Sequence, residues 1–209
     1  SPQTATAAPR PGGLVAAFAT PVLSALWQDL LPWNDALATH IQQLAAEDAG
    51  VTRSNVGGWH SGLNFFADPA PAVQALSERI CAQITALRQA TAGATGPGSA
   101  PPALTGWANR IEYGDYHSIH CHPDAQWSGV YYVTGNDSAG PEHPFSGKLE
   151  LLDPRQGGAT TQDDRTNLYG RFLIDPQPGQ VVIFPGWLQH QVHPYFGQGA
   201  RLTVAFNVR

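Results

Sequence analysis

The chain has 209 residues, of which 42% are hydrophobic and 13% charged, and its formal net charge is −5. This length and hydrophobic content predict one domain with a substantial core, whereas the acidic balance excludes nucleic acid and an anionic membrane as expected partners, since both need a basic surface. Two cysteines exclude a disulfide scaffold. The sequence has no apolar run of membrane-spanning length and no signal segment, so we expect a cytoplasmic protein.

The chain divides by composition into a short leader and one domain. Residues 1–13 are small, polar and proline-rich, and we expect them to be disordered. Residues 14–209 are predicted to form a single domain. Within it, residues 14–103 are expected to provide helical support, and residues 104–209 a β-barrel core, because the hydrophobic period changes from helical to alternating near Leu104.

The supporting half is expected to begin with a strand in the segment 13–22 that ends at Pro21, followed by a helix from Leu23 to Leu31. Asn34 is predicted to cap the next helix. A further helix begins near Asp68 and keeps one apolar face, formed by Val73, Leu76, Ile80, Ile84 and Leu87.

The second half contains short alternating segments separated by loops rich in glycine, proline, asparagine and aspartate. Eight strands are predicted, at 106–113, 117–122, 128–134, 147–152, 170–175, 180–184, 189–193 and 200–208. Short strands behind amphipathic helices indicate an α+β domain whose β part is a jelly roll or a related double-sheeted barrel.

Histidines are concentrated in two of these strands. His120 and His122 are two residues apart, so in a strand they project from one face and can bind one metal ion. His117 is out of this phase, and we do not expect it to be a ligand. His190 or His193, on a later strand, can supply a third imidazole and leave coordination positions open for substrate and oxygen. Imidazole ligands suit Fe(II), zinc, nickel or copper.

Asp124 offers an alternative ligand set. Non-heme iron oxygenases commonly use two histidines and one carboxylate, and His122-Pro123-Asp124 would retain that pattern. We favour the pair His120 and His122, because Pro123 cannot donate to a strand ladder and places Asp124 in a turn. Both possibilities stay open from the residues alone.

The last predicted strand carries polar residues on alternate positions, among them Arg201 and Thr203. A guanidinium binds a carboxylate through two parallel hydrogen bonds, and a threonine hydroxyl can add another. A metal beside this pair fits a co-substrate that chelates the metal at one end and carries a carboxylate at the other, as 2-oxoglutarate does.

A series of motifs follows in a characteristic order over roughly residues 17–208. They are SNVGGWHS at 54–61, WAN at 107–109, GDY at 114–116, HCHP at 120–123, SGVYYV at 128–133, LDPR at 152–155, the segment 179–190, and the segment 201–207. In this order they resemble the 2-oxoglutarate/Fe(II)-dependent oxygenase superfamily, and more narrowly a bacterial and phage subgroup of it.

The resemblance implies a double-stranded β-helix packed against N-terminal helices. It implies that His120, His122 and His190 bind Fe(II), and that Arg201 with Thr203 binds 2-oxoglutarate. The implied activity is that of a dioxygenase that uses O2 to oxidise, by hydroxylation in the expected case, an unactivated C–H bond. The substrate would be a small molecule, amino acid or peptide, and 2-oxoglutarate would lose CO2 to give succinate.

Further residues are expected at the site on the same resemblance. Asn109 and Tyr131 are expected to contact 2-oxoglutarate. Four others are expected to line the substrate pocket, namely Trp59, His60, Trp127 and Asn207.

Two other functions are compatible with the sequence. A cupin-type metalloenzyme would use the same three histidines without 2-oxoglutarate, but the glutamate expected after the histidine pair is absent, and such an enzyme would not need Arg201. A non-enzymatic β-sandwich binding module is the other alternative, because the chain has six tryptophans. Such a module would not convert 2-oxoglutarate to succinate.

Overall fold

The fold is given by a computed structural model that describes residues 19–91, 101–136, 140–155 and 170–209. The expected leader, residues 1–13, lies outside these ranges, as does the start of the strand expected over 13–22. Residues 19–22 form no strand. No helix in the described ranges is both long enough and apolar enough to cross a membrane.

The described residues form two α-helices and eleven strands. The helices are α1 (Asn34–Glu47) and α2 (Pro71–Thr91). The strands are β1 (Leu23–Leu26), β2 (Asn55–Val56), β3 (Trp59–His60), β4 (Leu104–Ile111), β5 (Tyr116–His120), β6 (Trp127–Tyr132), β7 (Leu149–Leu151), β8 (Phe172–Ile174), β9 (Gln180–Pro185), β10 (His190–Val192) and β11 (Arg201–Val208). All eight strands predicted after residue 104 are therefore present, with ends shifted by up to two residues.

The prediction of a helix from Leu23 to Leu31 is wrong. Leu23–Leu26 is strand β1, which pairs antiparallel with β9 along its whole length. Leu23 and Ala25 pack against the core while Leu26 is exposed, which is the period of a half-buried strand. A short 3-10 helix, Leu31–Trp33, follows and contains Pro32.

Asn34 begins α1 as expected, but its side chain does not cap the helix. It is buried, its Nδ2 donates to the Val133 carbonyl (2.9 Å), and its Oδ1 accepts from the Tyr131 hydroxyl (2.7 Å). A capping role was predicted from the residue type alone, whereas the polar groups of the sheet beneath the helix need these partners. Asn34 thus ties α1 to β6.

The strands form two sheets in which every pairing is antiparallel. The larger has the order β1-β9-β6-β11-β4-β3, and the smaller β2-β5-β10-β7-β8. β1, β2 and β3 come from the segment expected to give helical support, so that segment also extends both sheets. The apolar faces of α1 and α2 pack on the larger sheet in one continuous core.

Strand β11 shows how alternation divides the interior. Leu202, Val204, Phe206 and Val208 join the core under the helices. Arg201 and Thr203 face the opposite way, into the space between the two sheets. A polar interior therefore exists where the sheets face one another, and it is closed on the other side by the smaller sheet.

Glu150 on β7 is the centre of a charged network on the smaller sheet. Its carboxylate accepts hydrogen bonds from Arg171 (2.5 and 2.8 Å), from Gln191 (2.8 Å) and from Nε2 of His193 (2.7 Å). The hydrogen bonds from Arg171 are the main reason that the pKa of Glu150 is lowered to about 2. His193 is therefore a partner of Glu150.

We expect Glu150→Gln to lower the free energy of unfolding at pH 7 by about 1–3 kcal/mol, because Arg171 and His193 lose a charged acceptor. Since the folded pKa of Glu150 lies below its ordinary value of 4.5, its contribution is present above pH 4.5 and is lost as the pH falls towards 2. Urea unfolding of wild type and variant at pH 7 and pH 3 measures this, with Glu112→Gln as a surface control. A deficit of equal size at both pH values would contradict the expectation.

Candidate active site

Three histidines converge between the two sheets. His120 ends β5, His122 lies two residues beyond it, and His190 begins β10 directly opposite His120 in the strand register. Each offers a ring nitrogen, and these atoms all lie within 4.8 Å of one another. The ring centroids are 4.2 Å apart for His120 and His190, and 5.1 to 5.3 Å for the pairs with His122. The group has the spacing to hold one metal ion.

Backbone carbonyl groups orient two of these rings in the same manner. Nδ1 of His120 donates to the Ser118 carbonyl (2.7 Å), and Nδ1 of His190 donates to the Leu188 carbonyl (2.9 Å). Because a carbonyl only accepts, Nδ1 carries the proton in both rings and Nε2 keeps its lone pair. A fixed tautomer of this kind is the usual support for a metal-binding imidazole.

Burial keeps the three imidazoles neutral. Desolvation is the main cause that lowers the pKa of His190 to about 3 and that of His122 to about 4, and the neighbouring histidines lower both further. The pKa of His120 is lowered for the same first reason. Neutral imidazole is the form that binds a metal, so the group needs no deprotonation at neutral pH.

His117 also faces this space, contrary to the phase argument from the sequence. Between β5 and β10, His190 is opposite His120 but Val192 is opposite His117, so a step of three positions along β5 matches a step of two along β10. This β-bulge turns His117 to the same side as His120. Its ring is buried and its pKa is lowered to about 3, first by burial and then by Arg201. His117 lies outside the group of three but lines the same cavity.

Ser54, in the loop before β2, lies between these rings. Its hydroxyl is 3.3 Å from Nδ1 of His117 and 3.3 Å from Nε2 of His120. Ser54 begins the motif at 54–61, but no role is predicted for it from the sequence. Ser54 lines both cavities of the site, together with Trp107, His120 and His122.

The inner cavity contains a buried cation. Arg201 is 3% exposed and lies above the Tyr132 ring at 5.1 Å. Within the described ranges no carboxylate pairs with it, and none lines the inner cavity. Desolvation accordingly lowers the pKa of Arg201. A buried guanidinium without an anionic partner destabilises the folded protein. The cavity is therefore suited to an anionic ligand.

Hydrogen-bond donors around Arg201 are left without partners. Nε of Arg201 and the hydroxyl of Tyr132 are buried and have no acceptor among the described residues. Thr203, opposite Tyr132 in the strand register, accepts from Nδ2 of Asn109 at 3.3 Å, which leaves its own proton free to donate. Oδ1 of Asn109 is likewise unpartnered. The two unpaired donors, Nε of Arg201 and the Tyr132 hydroxyl, are suited to an anionic ligand, whereas Oδ1 of Asn109 can only accept.

A larger outer cavity of about 620 Å³ opens on the other side of His120 and His122. Its aromatic wall consists of His60 stacked on Trp107 (5.4 Å between centroids, 10° between planes), and Trp107 in turn contacts His122 at 5.6 Å. Asn207 also lines this cavity. The outer cavity thus reaches two of the three histidines, His120 and His122.

Three residues expected at the site lie elsewhere. Tyr131 faces the helices, where it hydrogen-bonds Asn34 and stacks on Trp27, so the neighbouring Tyr132 takes the inner position. Trp127 shares the face of Tyr131 and is part of the core under the helices. Trp59 belongs to the same core, and its Nε1 donates to the Asp48 carbonyl. Trp59 therefore anchors its loop.

Asp124, the alternative carboxylate, is exposed and does not belong to the group of three histidines. It lies in the turn after Pro123 and lines the outer cavity. In this conformation the ligand atoms that converge are all imidazole nitrogens.

A family model described as "Putative 2OG-Fe(II) oxygenase" matches residues 105–207, from β4 to β11. This β part of the chain, residues 105–207, belongs to the 2-oxoglutarate/Fe(II)-dependent oxygenase superfamily. Its members are enzymes whose cofactors are Fe(II) and 2-oxoglutarate. No curated protein sequence matches the chain.

Solved structures with the same architecture include two prolyl hydroxylases and HygX, which has 2-oxoglutarate bound. A prolyl-4-hydroxylase from Pseudomonas putida is 17% identical, with 90% of this chain and 91% of that chain covered and a TM-score of 0.60. HygX from Streptomyces hygroscopicus, with nickel, 2-oxoglutarate and hygromycin B bound, is 15% identical, with 90% and 82% covered and a TM-score of 0.62. A Trichoplax adhaerens prolyl hydroxylase, in complex with a hypoxia inducible factor peptide fragment, is 13% identical, with 90% and 82% covered and a TM-score of 0.61. These likenesses confirm the predicted double-stranded β-helix.

The site of this oxygenase fits both cofactors. Three neutral nitrogen donors suit a divalent first-row metal such as Fe(II). The unpaired buried guanidinium of Arg201, with the Tyr132 hydroxyl beside it, suits the distal carboxylate of 2-oxoglutarate.

Proposed function

We propose that this oxygenase is a dioxygenase that hydroxylates an unactivated C–H bond of a small molecule, amino acid or peptide. In this proposal His120, His122 and His190 hold Fe(II). Arg201 and Thr203 hold the distal carboxylate of 2-oxoglutarate. When bound, Fe(II) and 2-oxoglutarate supply oxidation of the substrate by O2, coupled to decarboxylation of 2-oxoglutarate to succinate.

The burial of Arg201 is the observation that most strongly supports this function. A cupin-type enzyme without 2-oxoglutarate would have no use for a buried, unpaired guanidinium on the same interior surface as its metal ligands. The burial of Arg201 without a carboxylate among its described neighbours is explained when a dicarboxylate occupies the cavity.

The residues around the cofactors have distinct tasks in this reaction. The Arg201 guanidinium and the Thr203 hydroxyl bind and orient the co-substrate carboxylate, while the Ser118 and Leu188 carbonyls hold two ligand rings in one tautomer. Both sheets exclude water from the inner cavity, which strengthens these charged contacts. The substrate C–H bond would approach from the outer cavity, along Trp107.

The range of structural neighbours supports a wide substrate class. HygX is described with hygromycin B bound, and the Trichoplax enzyme with a peptide fragment. The same framework thus accommodates a small molecule in one protein and a peptide in another, and the outer cavity of this chain is open enough for either.

Fe(II)-dependent formation of succinate from 2-oxoglutarate tests the proposed function. We expect purified protein with Fe(II), ascorbate, O2 and 2-oxoglutarate to release succinate even without a substrate, although slowly. The measurement is mass spectrometry of succinate, with metal-free and oxygen-free reactions as controls. Succinate formation that is absent, or that is equal without Fe(II), would contradict the proposal.

A further inference from the structure

The charge of the outer cavity is opposite to that of the chain. The whole chain carries 16 acidic and 11 basic residues, yet the charged residues that line this cavity are Arg53, Arg209 and the single carboxylate Asp124. Guanidinium side chains thus outnumber carboxylate side chains in this cavity by two to one, which favours the binding of an anion.

Arg53 is the residue best placed to bind such an anion. It lies directly before Ser54, the serine that contacts His120, and it lines the same cavity as His120 and His122. Its backbone N–H donates to Oδ1 of Asn55, which holds the loop, but its guanidinium has no hydrogen-bond or ion-pair partner among the described residues. An arginine fork is suited to a carboxylate or phosphate.

His60 supplies a second, independent contact. It is 3% exposed, and its Nδ1 donates to the Ser61 carbonyl at 2.6 Å. Nε2 therefore keeps a lone pair, and it has no partner among the described residues although the ring lines the cavity. Burial, together with the charge of Arg53, lowers the pKa of His60. His60 thus presents a neutral hydrogen-bond acceptor close to a cation.

We propose that the substrate is a small amino or hydroxy acid whose acid group binds Arg53 and whose N–H or O–H donates to Nε2 of His60. The cavity volume of about 620 Å³ is within the usual range for a small organic ligand. Trp107, between His60 and His122, would pack against the substrate carbon chain and direct it towards the three histidines. This inference rests on the proposed function and narrows its substrate class.

The test compares a panel of the standard free amino acids and their hydroxy-acid analogues with the same compounds as α-amides. Binding is measured by calorimetry to protein loaded with Fe(II) and 2-oxoglutarate under nitrogen, and succinate formation is measured in air. We expect at least one acid to bind and to raise succinate formation, and its amide to bind at least about tenfold more weakly. Amides that bind as tightly as acids, or a panel from which no acid binds, would overturn the proposal.

Variants at the two residues separate their contributions. Arg53→Gln is expected to weaken binding of the acid at least about tenfold and Arg53→Lys less, because lysine keeps the charge but not the fork. Arg79→Gln is the matched control, since Arg79 lies on α2 outside the cavity and pairs with Asp29. An Arg53→Gln variant that binds the acid like wild type would overturn the role of Arg53.

For His60, glutamine can keep an acceptor near the position of Nε2, whereas phenylalanine keeps only the stack on Trp107. We expect His60→Gln to bind the acid more tightly than His60→Phe, and equal binding would overturn the contact. The failure of this inference is distinguishable from that of the proposed function, because succinate released by wild type without any panel compound tests only the latter.

Discussion

Replacing Arg201 with methionine is expected to weaken 2-oxoglutarate binding by about 100-fold or more, because the anion loses its buried charged partner. The same substitution is expected to stabilise the protein in the absence of co-substrate by about 1–3 kcal/mol, because it removes an unpaired buried charge and keeps similar volume. A variant that binds 2-oxoglutarate more weakly but unfolds less readily is expected when the replaced residue serves ligand binding and not stability.

Calorimetric titration with 2-oxoglutarate and urea unfolding of the apoprotein measure the two effects. Arg110→Met is a suitable control, because Arg110 is on the neighbouring strand β4 and pairs at the surface with Glu112. If Arg201→Met lowers the stability of the apoprotein and leaves the 2-oxoglutarate affinity unchanged, Arg201 has a structural role and our assignment is wrong.

Replacing His190 with alanine is expected to weaken Fe(II) binding by about 100-fold or more, since loss of a ligand costs at least as much as loss of a residue that supports one. His190 is the ligand candidate on the strand opposite His120, so its removal leaves two donors from a single segment. Succinate formation should fall with metal content.

Asp124→Asn is the matched variant for this experiment. In our assignment it keeps Fe(II) binding, because Asp124 lies outside the group of histidines. Metal analysis after anaerobic desalting compares both variants with wild type. A variant Asp124→Asn that loses iron while His190→Ala retains it would favour the alternative ligand set with one carboxylate.

Alternation along single strands allowed much of this site to be predicted. The spacing of His120 and His122 and the alternating polarity of β11 depend only on the period of a strand, so they gave the convergence of the histidines and the inward position of Arg201 without knowledge of neighbouring strands. The family resemblance added the order of the motifs and hence the fold.

Features that depend on pairing between strands were not predictable in this way. The bulge that brings His117 into the cavity arises from the register of β5 against β10. Tyr131 and Tyr132 are adjacent and chemically alike, and only the pairing of Tyr132 with Thr203 in β11 decides which faces inward. In the sequence, the polar Ser128 shares its alternate positions with Tyr132, whereas Trp127 shares its own with Tyr131. This difference was the available indication that Tyr132 lies on the polar face.

Tertiary packing also overrode local preference in the first half of the chain. The apolar run from Leu23 is compatible with a helix, but an unpaired edge of β9 is present for it to complete. The outer cavity depends in turn on Arg53 and His60 from an early segment and on Asp124 from the turn after β5, and these two segments meet only in the folded protein.

Anaerobic titration with Fe(II), with and without 2-oxoglutarate, tests the central claim most directly. Three neutral imidazoles contribute no charge against the metal, and Arg201 adds a buried positive charge to the same interior, so the dicarboxylate is needed to balance both. We therefore predict that 2-oxoglutarate raises the affinity for Fe(II) at least about tenfold, with a reciprocal effect on its own binding, and that a weak visible absorption band accompanies the complex. Iron binding of equal strength in both titrations, with no new band, would contradict the account.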